Sequence, residues 1–131
     1  MNLIPIPADQ VDSVWDKVGP LIEKSCRHSF GLETADNLRN RVRAGNGCVL
    51  VVVDDWGTAI ILERAGDFLH VVSMGGKNIV CRLDEVVEAC WRIASHVGCS
   101  GISFKGRKAW SRIMGKYGCV DVGDGFMEAG K

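Results

Sequence analysis

The chain has 131 residues, 47% of them hydrophobic and 24% charged, with 16 basic side chains against 16 acidic ones. That length supports one core rather than two, so a single domain over residues 1–131 is expected. A zero net charge offers no field to nucleic acid or anionic lipid, and the longest apolar run, residues 48–53, is far short of the ~18 residues of a spanning helix, so no nucleic-acid or membrane partner and a cytoplasmic location are expected.

Six cysteines, at 26, 48, 81, 90, 99 and 119, include no C-x-x-C pair. Most stand among apolar neighbours, where a reduced thiol acts as a small hydrophobe, so no metal site is expected and Cys26, Cys48 and Cys90 should be reduced and buried.

In chain order, residues 3–7 read as a short edge strand, because Pro5 and Pro7 forbid a full ladder. Val11, Val14, Trp15, Val18, Leu21, Ile22 and Cys26 then repeat at the spacing of one helical face. Asp9 is placed to cap that helix, and Gly19-Pro20 predicts a kink or break within it. A second amphipathic helix over residues 34–44 buries Ala35, Leu38 and Val42, turns Arg39, Arg41 and Arg43 outward, and ends at Gly45.

From residue 47 the period changes. Runs at 48–53, 58–63 and 68–73 are β-branched or apolar and are separated by Asp54-Asp55-Trp56-Gly57 and Arg64-Ala65-Gly66-Asp67, which predicts an antiparallel three-strand meander. The unbroken apolar run at 49–53 implies burial on both faces. Gly75-Gly76-Lys77-Asn78 then reads as a turn feeding a helix over 83–97, whose buried face is Leu83, Val86, Val87, Cys90, Ala94 and Val97. Free N–H groups in such a turn, together with the positive end of the helix dipole, make an anion cradle. A bulky residue at Gly76 should block that cradle without disturbing the fold.

Gly98 should end the helix, and residues 101–105 supply a strand parallel to the preceding one. A last helix over 107–117 and a strand or hairpin around Gly123-Asp124-Gly125 complete the chain.

This element order resembles that of the GCN5-related N-acetyltransferase (GNAT) family. Gly75-Gly76-Lys77-Asn78-Ile79-Val80 falls where the family has Arg/Gln-x-x-Gly-x-Gly/Ala, and Met114-Gly-Lys-Tyr117-Gly118-Cys119 falls near its Tyr-x-x-x-Gly-Phe pattern. The layout is also similar to that of short acetyltransferase-like proteins of tailed bacteriophages. The resemblance implies an α+β fold, with a mixed, mostly antiparallel central sheet and helices on both faces. It also implies acetyl-CoA as cofactor, with its pyrophosphate on the backbone of Gly75, Gly76, Lys77 and Asn78 and an oxyanion donor from the amide of Val72 or Ser73. His70 and Glu63, on neighbouring strands, are the candidate bases for an acceptor amine. Tyr117 is the candidate proton donor, because the family's tyrosine falls at Met114. Asn78 and Val80 replace small residues of the family turn. Two functions stay open: an acyl-CoA-dependent N-acyltransferase acting on an unidentified amine, and a non-catalytic, virion-associated protein-binding module on the same fold.

Overall fold

The computed structural model of the protein describes residues 3–26, 34–45, 47–53, 57–76, 83–105, 115–123 and 126–130. Its strands are β1 (Leu3–Ile6), β2 (Cys48–Val53), β3 (Thr58–Ala65), β4 (Phe68–Gly76), β5 (Gly101–Lys105), β6 (Val120–Gly123) and β7 (Phe126–Gly130), and its α-helices are α1 (Val11–Cys26), α2 (Ala35–Ala44) and α3 (Leu83–His96). The strands form one seven-stranded sheet in the order β1-β2-β3-β4-β5-β7-β6. Each neighbouring pair is antiparallel except β4 and β5, which run parallel. A parallel pair needs a crossover connection, and α3 supplies it. The result is an α+β fold with a mixed, mostly antiparallel sheet and helices on both faces.

Each face carries its own core. On one, Val11, Val18 and Ile22 of α1 and Leu38 and Val42 of α2 pack on Cys48, Leu50, Val52, Ala59 and Ile61. On the other, Val86, Cys90 and Ala94 of α3 pack on Val51, Ile60, Leu62, Leu69 and Ile102. Leu50 and Val52 therefore point one way and Val51 the other, which is why the β2 run does not alternate with polar residues. Val49 departs from that expectation, being 41% exposed.

Local chemistry accounts for most element ends. The Asn37 amide donates to Thr34 Oγ1 at 3.1 Å to cap α2, and Gly45 closes it with φ 71°. Gly98, with φ 78°, ends α3. One expectation for α1 is corrected in full and one in part. Asp9 does not cap the helix; it lies in a 3-10 turn, Ala8–Gln10, that runs directly into Val11. Nor does Gly19-Pro20 break it, since α1 continues through Pro20 to Cys26. A proline disfavours helix in the preceding residue partly by clashing with its Cβ, and Gly19 has none. In α3, Val97 lies beyond the helix and is 39% exposed, and Val87 is half-buried.

The largest correction concerns the glycine pair. β4 does not stop at Ser73 but continues through Gly75 and Gly76, which pair with Ala59 and Thr58. A Cβ on Gly75 would lie 2.0 Å from the Leu21 carbonyl oxygen, and one on Gly76 would lie 2.4 Å from the Gly57 carbonyl oxygen. Glycine is required here because α1 and β3 approach the strand closely. A bulky residue at Gly76 would therefore disturb the β3–β4 ladder, contrary to the expectation above. Lys77, Asn78, Val80 and Cys81, and most of the helix expected over 107–117 including Met114, lie outside the described residues; Gly115–Tyr117 forms a 3-10 turn. None of the described cysteines forms a disulfide; Cys48 and Cys90 are buried and Cys26 is half-buried.

Candidate functional site

β4 and β5 pair at only four positions, from Phe68↔Gly101 to Val71↔Phe104. β4 then runs on through residues 72–76, while β5 ends at Lys105. The two parallel strands thus part in a fork, whose β4 wall presents backbone N–H and C=O groups without a β5 partner among the described residues. A β-bulge lies at the mouth of the fork. Ile61 opposes Ser73 and Leu62 opposes Val71, so Val72 is the extra residue. A bulge leaves its extra residue out of the ladder and re-aims the side chains around it. Val72 packs into the α1/α2 core. Ser73, opposite Ile61, is on the same face, buried at 4% exposure. Its hydroxyl has no hydrogen-bond partner among the described residues.

Immediately before the bulge, register places a polar row straight across the sheet on the α1/α2 face. Cys48 opposes Glu63, Glu63 opposes His70, His70 opposes Ser103, and Ser103 opposes Glu128. Directly opposed residues share a face with their Cβ atoms about 5 Å apart. Glu63 is ion-paired with Arg41 of α2, both groups about one-third exposed. His70 Nδ1 and Ser103 Oγ lie 2.9 Å apart, and Ser103 is 7% exposed. The row therefore joins one compensated carboxylate, an imidazole held by a buried hydroxyl, and a second carboxylate.

No protein-family model and no curated protein sequence matches the chain. Solved structures do. The chain is similar to the PaiA N-acetyltransferase of Thermoplasma acidophilum in complex with coenzyme A, with TM-score 0.62 and 12% identity over 100% of both chains. It is similar to a GNAT-family acetyltransferase of Staphylococcus aureus Mu50, with TM-score 0.66 and 11% identity over 98% of both chains. It is also similar to the ribosomal-protein-S18-alanine N-acetyltransferase of Escherichia coli, with TM-score 0.66, 9% identity, and coverage of 98% of this chain and 92% of that one. The chain has the GNAT fold.

Within that GNAT fold, the sequence-derived candidates separate into two groups. His70 and Glu63 meet on the α1/α2 face beside the Val72–Ser73 bulge. Tyr117 lies on the α3 face, packed with Leu83, Val87 and Phe104. Its hydroxyl donates to Asp84, and Lys116 Nζ sits 5.0 Å from its ring centroid. The hydrogen bond to Asp84, with some desolvation, holds the Tyr117 phenol above its ordinary pKa. Asp84 and Glu85 occupy the first turn of α3, where carboxylates already use the positive end of the dipole.

The α2 arginines are not simply a solvated face. Arg39 and Arg43 both bind Asp12 of α1, at 2.8 and 3.4 Å, and Arg39 lies 5.5 Å from the Trp15 ring centroid. Ser103 and Glu128 escaped the sequence reading, and Arg41 was read only as an outward residue of α2, not as the partner of Glu63. Only Ser103 carried a signal, since in Ile102-Ser103-Phe104 a small polar residue alternates with two large apolar ones and must face the other side of the sheet. Among the described residues no group of three or more His, Cys, Asp or Glu side chains is arranged to hold a metal, and no helix is long and apolar enough to cross a membrane.

Proposed function

We propose that the protein is an acyl-CoA-dependent N-acyltransferase whose acyl donor lies in the fork between β4 and β5. The observation that carries this reading is the fork itself: residues 72–76 of β4 extend past the last β5 pairing, with a bulge where the strands part. The pantetheine arm of CoA is an extended chain with two amides, so it can pair with an open strand edge as another strand would. Its thioester then comes beside Val72 and Ser73. The bulged backbone supplies N–H groups to a developing oxyanion, and the buried, unpartnered Ser73 hydroxyl is a further polar group that a ligand can complete.

The acceptor enters as an ammonium ion. His70 takes one proton, the amine nitrogen attacks the thioester carbonyl carbon, the C–N bond forms and the C–S bond breaks, and the second departing N–H proton ends on the sulfur. Glu63, directly across from His70, lowers the cost of the imidazolium formed, tempered by its own pairing with Arg41. Donation to the sulfur by Tyr117 would require it to leave Asp84. The pyrophosphate contact rests on the Gly75-Gly76-Lys77-Asn78 sequence, and the acidic first turn of α3 weakens that end of the site.

That acidic turn favours a second reading, a non-catalytic protein-binding module on this fold. Its arginine-helix surface is already engaged with Asp12 and Glu63. A phage origin or virion association has only the layout resemblance behind it. Calorimetric titration with acetyl-CoA, paired with hydrogen exchange, tests the proposal. Saturable 1:1 binding with new protection at residues 72–76 is expected, as is thiol release on adding primary amines. Absence of saturable binding at millimolar acetyl-CoA overturns it, and binding without protection there refutes the fork as the donor site.

A further inference from the structure

Two polar groups on the α1/α2 face lack a partner among the described residues. One is the Ser73 hydroxyl at the fork, buried and without a hydrogen bond. The other is the carboxylate of Glu128, the last polar member of the row that runs through Glu63, His70 and Ser103. Within that row Glu63 is ion-paired with Arg41, and His70 is held by Ser103 and by a further interaction. Glu128 is half-buried, yet among the described residues it has neither a hydrogen bond nor an ion pair. The row ends beyond it at Val120 of β6, an exposed apolar side chain that cannot compensate it. One carboxylate is thus left uncompensated on a partly desolvated surface, where a nearby cation is held more strongly than in bulk water.

We infer that Glu128 is the specificity residue of the acceptor site and that the acceptor is a small aliphatic amine carrying a second cationic centre. The inference rests on the acyltransferase reading for where the reacting nitrogen goes. α3 packs on the opposite face of the sheet, so a donor whose phosphates lie toward that helix brings its acyl group through the fork to the α1/α2 face, beside Ser73. Attack comes from that face, and the row fixes how far away the second cation sits. Glu128 is two strands across from His70, which at the ~4.8 Å spacing of paired strands is about 10 Å. A carboxylate reaching back from there, with a hydrogen-bond length at each end, leaves roughly 6–9 Å between the two nitrogens, the span of about four to six carbons. A slender alkyl chain suits the space between, where Ser103 is buried and its hydroxyl is engaged by His70. A peptide laid along the same line would bring buried amides to a surface whose hydroxyl is already taken.

The test compares cadaverine with pentylamine, the same chain carrying a single cation, as acceptors for acetyl-CoA, read by thiol release. The kcat/KM for cadaverine is expected to exceed that for pentylamine at least ~10-fold, the ordinary return on a hydrogen bond between charged groups. Glu128→Gln keeps the shape and removes the charge, and should bring that ratio down to about 1. Glu128→Lys should reverse the preference, favouring aminocaproate over cadaverine. A wild-type ratio near unity overturns the inference, as does a ratio that Glu128→Gln leaves unchanged or a lysine peptide that outcompetes cadaverine. If Glu128→Gln does not fold, the wild-type ratio and its dependence on diamine length decide it, because ethylenediamine is too short to span the row and should show no advantage over ethylamine.

Cadaverine binding to the protein without donor separates this inference from the function it rests on. Titration followed by the carboxyl carbon-13 signals of glutamate-labelled protein, with Glu128→Gln assigning the signal, should show saturable binding at Glu128 that weakens with salt and is at least ~10-fold weaker in Glu128→Gln. Such binding in a protein that transfers no acetyl group to any amine refutes the proposed function and leaves the cation site standing. Absence of Glu128-dependent binding overturns the inference whether or not turnover is seen.

Discussion

Replacing Gly75 by alanine tests the close approach of α1 to β4. The added Cβ would sit 2.0 Å from the Leu21 carbonyl oxygen and 2.7 Å from its carbonyl carbon, where real contacts of this kind stay above 3.0 Å. Helix and strand must therefore separate by at least about 1 Å, and no rotamer change helps because the obstacle is backbone. Val18 and Ile22, on the buried face of the same helix, are fully buried, so the shift loosens their packing as well. Overpacking of this kind costs about 1–3 kcal/mol, and a backbone clash belongs at the upper end.

At about 3–5 °C per kcal/mol for a domain of this size, Gly75→Ala should lower Tm by about 10 °C. Thermal melts by circular dichroism, with urea midpoints at constant m, measure it. Gly98→Ala is the comparison: its φ is +78° with nothing within 4 Å of a Cβ, so only the left-handed backbone penalty of about 1–2 kcal/mol applies. A Gly75→Ala protein melting within about 2 °C of the parent, or above the Gly98→Ala protein, would refute the reasoning.

Tyr117 is the chain's single tyrosine, so phenolate absorbance reports on it alone. Its hydrogen bond to Asp84 holds its pKa above the ordinary value, and Asp84→Ala should bring the titration midpoint down; an unchanged midpoint refutes the assignment. The fold favours the protonated phenol, so this contribution to stability is complete below about pH 10 and is lost as pH rises through the raised native value. Burial pushes the Cys90 thiol up to about 12, while Cys119 is only half-buried and its pKa is raised less decisively. Native protein at pH 8 should alkylate at Cys119 well before Cys90, which should react only as the protein unfolds; equal rates in peptide mapping would show that α3 does not seal that thiol.

The order of elements from β1 to β5 was readable from the chain because it depends on local pattern. Apolar side chains at helical spacing, the Gly45 cap, and the β-branched runs before and after Arg64-Ala65-Gly66-Asp67 each act within a few residues of themselves. Even the parallel placement of β5 followed from a helix standing between two strands. What failed lay at close approaches between elements. Gly75 and Gly76 look like a turn in sequence, and only the Leu21 and Gly57 carbonyls packed against them make them strand residues. Pro20 looks like a break, yet Gly19 beside it lets α1 continue.

The candidate site was half legible for the same reason. His70 and Glu63 could be nominated by residue type and neighbouring strands, but cross-strand register alone put Ser103 and Glu128 in line with them. Register is a relation between residues tens of positions apart, set by the bulge at Val72 and by how α1, α2 and α3 cover the sheet. Local sequence decides which segments become strands and helices; the packing of those segments decides which polar side chains meet.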